Sequence, residues 1–451
     1  MQDKSSRPSN IIWIFGDQHR AQAQGHMGDP NLSTPNLDRL CEEGVTFTHA
    51  VAGCPWCTPF RAALLTSRYV HETCRQTPEQ LDPAIPTVAK PFNEAGYNTA
   101  YFGKWHLDGG SKTGERENVR IVPRERRGGF NTWIGYENNN NQYFTYVHGH
   151  RGEAEVPSAK VPGYETDGLS DMLIDYINQR NEDNQPFFAV LSVQPPHTPY
   201  TAPSEFAAHH RVADVKLRPN VPDIPHITER AKRDLAGYYA MIENIDWNVG
   251  RIINELHKTG QIDNTHILFF SDHGDMHGSH GRWQKSTPWE ESIRIPFIMS
   301  GMRPHTAHTG MMRTNAPLNH VDIAPTSLGL CGIPVPNWMM GFDYSAYRNP
   351  NAVERNKLLG NEPDSAYLQH CVRKMHPGCF DRTWRGLVTK DGWKYIVSDS
   401  FPYLMFNLND DPYELNNLAQ DAAYAVKRKE LQERLAKWIN DMNDPYPLPE
   451  L

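Results

Sequence analysis

Short, continuously apolar runs punctuate the chain. Asn10-Ile11-Ile12-Trp13-Ile14-Phe15 is the first, and residues 186–193, 266–270 and 296–299 repeat the pattern. Runs of this length without polar alternation predict strands buried on both faces, as in a parallel sheet covered by helices. Residues 96–106 add a strand flanked by glycines. Between these runs the apolar period lengthens to that of a helix. Helices are predicted from Thr34-Pro35 to Gly44, over 85–95 up to Gly96, over 169–180, over 230–258 up to Gly260, and over 322–330. Residues 107–165 show no sustained period and read as a long irregular region.

From about Asn349 the texture changes. Residues 384–389 and 394–397 alternate apolar and polar around Lys390-Asp391-Gly392, a hairpin signal, and 404–408 adds a further strand. Residues 422–442 form an amphipathic helix. The fold class expected is α/β: a large mixed, mostly parallel sheet between helices, with a smaller C-terminal antiparallel sheet plus helix. The expected division is a large α/β unit over 1–348 and a C-terminal α+β unit over 349–451.

At 451 residues the chain is long enough for a large core, and its formal net charge of −8 comes without a basic tail. That balance argues against a nucleic-acid partner, which needs clustered cations. Nothing in the sequence is apolar for long enough to span a bilayer. The first ten residues lack the apolar core of a signal peptide, so the expectation is a soluble protein, cytoplasmic or exported with its leader removed. Seven cysteines in this length do not make a disulfide scaffold.

The candidate chemistry collects at strand ends. Asp17 and Gln18 follow the first strand and offer two hard oxygens, which suit Ca²⁺ or Mg²⁺ better than zinc. Lys104 and His106 close the strand over 96–106; on extended backbone they share one face. His197 follows the 186–193 strand on a proline-stiffened loop, a placement that suits a general acid. Asp272 and His273 follow the 266–270 strand and add a carboxylate and an imidazole for a metal. In open α/β sheets ligands bind outside the carboxyl ends of the strands, so these positions converge on one edge. Each also has a plainer reading, as a turn residue or a satisfied core His.

Cys54-Pro55-Trp56-Cys57-Thr58-Pro59-Phe60-Arg61 is a loop entering a helix, with Thr58 as the expected cap and Pro59 in the first turn. Cys57 then sits at a helix N-terminus, where backbone N–H groups favour an anion, and Arg61 lies one turn on. A redox pair or half a zinc site are the alternatives for Cys54 and Cys57, but no second Cys pair follows. In residues 107–165, Arg116, Arg120, Arg124, Arg126 and Arg127 precede Trp133, Tyr136, Tyr143 and Tyr146. They suit contacts to an acidic glycan, or equally a solvated surface over a small aromatic core.

The Cys57-Thr58-Pro59-Phe60-Arg61 run resembles the Cys-x-Pro-x-Arg motif of the type I, formylglycine-dependent sulfatases of the alkaline phosphatase superfamily. Thr34-Pro35-Asn36-Leu37-Asp38 and Gly96-Tyr97-Asn98-Thr99 through Gly103-Lys104-Trp105-His106 match further family motifs in the same order. The resemblance spans nearly the whole chain and implies an alkaline-phosphatase-like fold. It implies conversion of Cys57 to formylglycine by a formylglycine-generating enzyme. It also implies one Ca²⁺ per chain, with Mg²⁺ or Mn²⁺ as alternatives, held by Asp17, Gln18, Asp272, His273 and the residue at 57. Arg61, Lys104, His106, His197 and Lys285 complete the implied catalytic set, Lys285 as the late sulfate-binding lysine.

The implied activity is hydrolysis of a sulfate ester, with a sulfated carbohydrate as the expected substrate. Phosphonate monoester hydrolases and phosphodiesterases of the same superfamily share the Asp-Gln and Asp-His pairs, but carry Tyr and Thr in place of Lys104 and His106. A non-catalytic glycan-binding protein is the alternative of another class.

Overall fold

Alternate residues of the first strand enter opposite cores. Ile11, Trp13 and Phe15 pack into one apolar cluster, and Ile12 and Ile14 into the other. This explains the unbroken apolar run, since a strand covered on both faces has no solvent side. The computed structural model describes residues 8–110, 119–183, 185–301, 312–349, 351–373 and 382–450. The large sheet contains β1 (Asn10–Gly16), β2 (Val45–Phe47), β3 (Asn98–Lys104), β4 (Thr132–Tyr136), β5 (Tyr146–Arg151), β6 (Ala154–Lys160), β7 (Phe187–Val193), β8 (Thr265–Ser271), β9 (Phe297–Gly301) and β10 (Met312–Thr314). Their order is β10-β2-β9-β8-β1-β7-β3-β4-β5-β6. The middle strands β8, β1, β7, β3 and β4 are mutually parallel, and the flanking β9, β5 and β6 run antiparallel to their neighbours.

Helices cover both faces. Cys57–Thr66, Ala89–Glu94 and Ile323–Leu330 supply Phe60, Phe92 and Leu328 to one core. Glu165–Asp183 and Pro225–Lys258 supply Leu169, Leu173, Ile245 and Ile252 to the other. The expected α/β layering is therefore observed. Register then sets the level of the functional edge. Gly16 lies opposite both Val193 and Ser271, so Asp17, Gln194 and Asp272 leave the sheet side by side.

Three local expectations are corrected. The region read as irregular holds β4, β5 and β6. β6 is exposed along most of its length, so its sequence carries no apolar period, and only pairing to β5 makes it a strand. The helix expected over 85–95 is confined to Ala89–Glu94: Pro86 disfavours helical backbone at Ile85, and Thr87 Oγ1 accepts the Ala89 N–H at 3.2 Å where the helix starts. The strand over 96–106 stops at Lys104, and His106 takes a left-handed φ of 58°, so Lys104 and His106 do not alternate on one extended face.

The arginines of this region are internally paired. Arg120 and Arg126 both hold Asp108, Arg127 pairs with Glu155, and Arg124 with Glu153 and Glu155. Trp133 and Tyr136 are buried core residues. Arg116 lies outside the described residues, as does Cys379.

The C-terminal sheet is an antiparallel meander of β11 (Ser365–His370), β12 (Trp384–Thr389), β13 (Trp393–Ser398) and β14 (Pro402–Asn407), backed by the helix Ala425–Asp441. β11 was not predicted. It pairs with the hairpin read at 384–397, which the sequence signals better. Both faces of this sheet meet the main sheet's surroundings. Tyr367, Leu387 and Tyr395 pack with Cys54, Trp56 and Ala63, while Leu368, Trp384 and Ile396 pack with Val51, Met276 and Ile293. Gln369 N–H donates to the Gly53 carbonyl at 2.6 Å. Among the described residues the cysteines are unpaired, and no helix is long and apolar enough to cross a membrane.

The chain end is anchored by a buried ion pair. Arg385 donates to Asp444 through Nε at 2.7 Å and Nη2 at 3.0 Å, and Tyr367 OH adds a bond at 2.8 Å. Removing one partner of a buried pair strands the other charge. Arg385→Met should therefore cost about 3–5 kcal/mol. The exposed pair Arg373–Asp399 is different in kind, and Asp399→Asn should cost under about 1 kcal/mol. Denaturant midpoints of the two variants measure the contrast.

Candidate active site

The site is assembled where β1, β3, β7 and β8 end. Asp17 and Gln18 are fully buried immediately after β1, and Asp272 and His273 immediately after β8. Gln18 holds a left-handed φ of 76°, stabilised from both sides: its N–H donates to Asp272 Oδ1 at 3.0 Å, and Tyr238 OH donates to its carbonyl at 2.8 Å. β3 delivers Lys104. The preceding Gly103 is required there: its φ is +105°, and a Cβ would lie 2.0 Å from the Ser192 carbonyl oxygen of β7.

The helix Cys57–Thr66 points its N-terminus at these strand ends. It begins two residues earlier than expected. The cap is Trp56 in extended conformation, whose side chain makes no capping bond, and Thr58 Oγ1 instead accepts from Thr77 at 2.8 Å. Cys57 is therefore inside the first turn. All residues of this helix are buried, so the helix is enclosed on every side. The sulfur of Cys57, which holds the position of any oxygen later made at residue 57, has three polar neighbours. Lys285 Nζ is at 2.9 Å, His273 Nε2 at 3.2 Å and Asp17 Oδ1 at 3.5 Å.

Arg61, one turn further on, bridges the acids. Its Nη2 donates to Asp17 Oδ2 at 3.4 Å and Asp272 Oδ2 at 3.2 Å. Its Nη1 donates to the Lys104 carbonyl at 2.9 Å and Ser192 Oγ at 2.8 Å. Lys104 Nζ completes the cage, 2.5 Å from Asp17 Oδ2. Burial alone pushes the Asp17 carboxyl up, but Lys104 and Lys285 outweigh it and hold Asp17 well below the usual carboxylate range. Burial and Asp17 push the Cys57 thiol up, yet the same two lysines leave it lowered. Burial and then Lys285 hold His197 well below its ordinary value; burial and then Lys104 do the same to His106. Both imidazoles are thus neutral in the resting site.

The two histidines are placed differently. His106 is nearly buried, its N–H donates to the Glu137 carbonyl at 2.7 Å, and its Nδ1 has no hydrogen-bond partner. His197 is half-buried on the loop after β7, with Nδ1 donating to the Thr198 carbonyl at 2.7 Å, which leaves Nε2 as its working nitrogen. Gln142 Nε2 ties this loop to the β4–β5 connection through the His197 and Pro199 carbonyls, at 3.2 Å each.

The donor set can hold a metal ion. Asp17, Cys57, Asp272 and His273 each place one ligand atom within 4.8 Å of the others. His273 Nδ1 donates to the Gly274 carbonyl at 2.9 Å, which keeps the lone pair on Nε2 facing the carboxylates. Gln18 Oε1 is buried with no hydrogen-bond partner, and a buried orphan acceptor is what a cation would satisfy. Two participants escaped sequence reasoning. Ser192 Oγ receives Arg61 and donates to the Lys104 carbonyl at 2.9 Å, but a lone Ser in an apolar strand carries no signal. Asp275 receives Gln18 Nε2, and only its place in the Asp272-His273-Gly274-Asp275 run hinted at a role.

Residues 9–333 match the sulfatase family, and residues 278–441 match the C-terminal region of N-sulphoglucosamine sulphohydrolase. The chain is 33% identical to the ulvan-active sulfatase of Formosa agariphila, over 99% of this chain and 83% of that protein. It is 27% identical to the endo-4-O-sulfatase of Bacteroides thetaiotaomicron, over 97% and 93% of the two chains. The solved structure of the yidJ protein of Bacteroides fragilis superposes with a TM-score of 0.85 at 28% identity, covering 99% of this chain and 98% of that one. With the edge geometry above, these likenesses identify the chain as a sulfuric ester hydrolase that belongs to the sulfatase family of the alkaline phosphatase superfamily.

Proposed function

We propose that the protein hydrolyses a sulfate ester on a sulfated carbohydrate, using a formylglycine made from Cys57 and one Ca²⁺ per chain, with Mg²⁺ or Mn²⁺ as alternatives. The observation that carries this reading is the convergence on Cys57 Sγ of Lys285, His273 and Asp17 at a helix N-terminus. The carbohydrate class is supported by relatives named as ulvan-active and endo-4-O sulfatases. It is also supported by the exposed Tyr143, whose OH donates to the Ala202 carbonyl at 3.4 Å, just beyond the His197 loop that Gln142 secures. In this reading 1–348 is the catalytic unit and 349–451 supports it, and a formylglycine-generating enzyme acts on the chain during maturation.

Formylglycine at residue 57 would supply a hydrated aldehyde, whose two hydroxyls offer a nucleophile and a means of releasing sulfate. Asp17, Gln18, Asp272, His273 and residue 57 would hold the cation, which would supply Lewis acidity. The chain's own groups do the rest. Lys104 and Lys285 are buried ammoniums that bind sulfate oxygens and offset charge developing at sulfur. Arg61 keeps both acid ligands and residue 57 in fixed relation. An arriving sulfate monoanion offsets the cationic field of Lys285 and Lys104, which favours a proton on His197 Nε2; that proton passes to the departing alcohol. His106, held neutral by burial and Lys104, would serve as the proton acceptor during sulfate release. Lys104 and His106 favour a sulfate monoester over a phosphonate monoester or phosphodiester, since those superfamily members carry Tyr and Thr at these places.

Activity on an aryl sulfate, an aryl phosphonate and a phosphodiester, side by side, tests the class. Sulfate release should dominate and fall about 10⁴-fold or more in Cys57→Ala; dominant phosphonate or diester turnover would reverse the assignment. Mass spectrometry of the residue-57 peptide checks the conversion of Cys57. Leaving-group dependence tests His197. His197→Ala should slow a sugar sulfate by about 10²–10⁴-fold, because an alkoxide needs its proton. A nitrophenyl sulfate, whose leaving group departs without one, should lose less than about tenfold by the same argument.

A further inference from the structure

We infer that Asp275 is a positioning residue: it orients the Gln18 side-chain amide so that Oε1, not Nε2, faces the metal. This rests on the reading of Gln18 as a ligand of the cation. An amide offers an oxygen and a nitrogen of nearly equal shape, and only its hydrogen bonds decide which end points where. Asp275 is buried and its carboxylate only accepts. Its Oδ1 receives the backbone N–H groups of His277 and Gln284, both at 3.0 Å. Its Oδ2 receives Gln18 Nε2 at 2.5 Å and Tyr200 OH at 2.6 Å. The Gln18 nitrogen is thereby committed, and Oε1 is left buried without a partner.

The same carboxylate ties three segments together. Gln18 belongs to the β1 exit, Tyr200 to the loop that carries His197, and Gln284 immediately precedes Lys285. One buried group thus sets the metal-facing atom of Gln18 and is joined to the loops that present the proton donor and the second lysine.

The consequence of Asp275→Asn follows from donor and acceptor bookkeeping. Two backbone N–H groups demand an acceptor, so Asn Oδ1 must stay where Oδ1 is. Its Nδ2 then occupies the place of Oδ2 and confronts Gln18 Nε2, donor against donor. The Gln18 amide must turn over, presenting its NH₂ to the cation. Adding Gln18→Glu repairs this, since one carboxylate oxygen accepts from the Asn Nδ2 while the other faces the metal.

The test is the affinity of the chelator-stripped, full-length protein for Ca²⁺, measured by calorimetry, with melting curves alongside. Asp275→Asn should weaken binding about 10–100-fold, the range for groups that orient metal ligands. The double variant Gln18→Glu/Asp275→Asn should recover most of that loss, and kcat should recover with it at limiting calcium. Gln18→Ala is the arm that tests the ligand reading by itself. If Gln18→Ala leaves affinity unchanged, Gln18 is not a ligand, and the inference falls with that reading. If Gln18→Ala weakens binding but Asp275→Asn does not, or the double variant is no tighter than Asp275→Asn, the ligand reading stands and the orienting role is overturned. Should Asp275→Asn fail to fold, recovery of folding and binding in the double variant supports the inference. Failure of both to fold overturns it, leaving Asp275 a purely structural group.

Discussion

Two carboxylates, Asp17 and Asp272, face one another from adjacent parallel strands at zero exposure, and the guanidinium of Arg61 lies between them at 1% exposure. Burying either carboxylate unpaired would cost several kcal/mol, on the order of the effective penalty for any desolvated ion. The site meets this with fixed cations rather than with solvent. Arg61 takes one oxygen of each acid, Lys104 a second bond to Asp17, and Lys285 stands 3.9 Å from Asp17 Oδ1. Arg61 also binds the Lys104 carbonyl and Ser192, so four strand ends depend on one side chain of the helix Cys57–Thr66.

That helix can hold its place because it is enclosed. One side packs into the core above the large sheet, through Phe60, Ala62 and Leu64. Ala63 and the preceding Cys54 and Trp56 pack against the C-terminal sheet, together with Tyr367, Leu387 and Tyr395. The C-terminal sheet is therefore part of the support for Cys57. Its β11 edge reaches the approach to Cys57 directly, through Gln369 and Gly53. The acids of this edge and the buried cations beside them depend on one another, since removing either set would strand the other's charge out of water.

The electrostatic balance also explains why so many titratable groups share so small a space. The lysines hold Asp17 ionised against its burial, and the same lysines with burial keep His106 and His197 neutral. A neutral imidazole can accept a proton, and negative charge brought near it favours the protonated form. Groups whose protonation is set apart by their surroundings are the ones fitted to exchange protons.

Much of this was legible in the chain. The unbroken apolar runs announced a doubly covered sheet, because period 2 vanishes when both faces are buried, and polar residues at their exits marked the functional edge. Cys57, Arg61, Lys104 and Lys285 could be singled out as residues, since motif spacing is local. What local spacing does not contain was decided by tertiary packing. β6 is a strand only because β5 offers it a partner, and Arg120, Arg126 and Arg127 spend their charge on Asp108 and Glu155. His106 leaves the extended path after β3 and turns to a left-handed φ, with its N–H bonded to the Glu137 carbonyl. Ser192 and Asp275 gain their places in the site from partners 131 and 257 residues away, Arg61 and Gln18. Residue types at strand ends are written in the sequence; which hydrogen-bond donor meets which acceptor is settled only when register and packing bring distant segments to the same level.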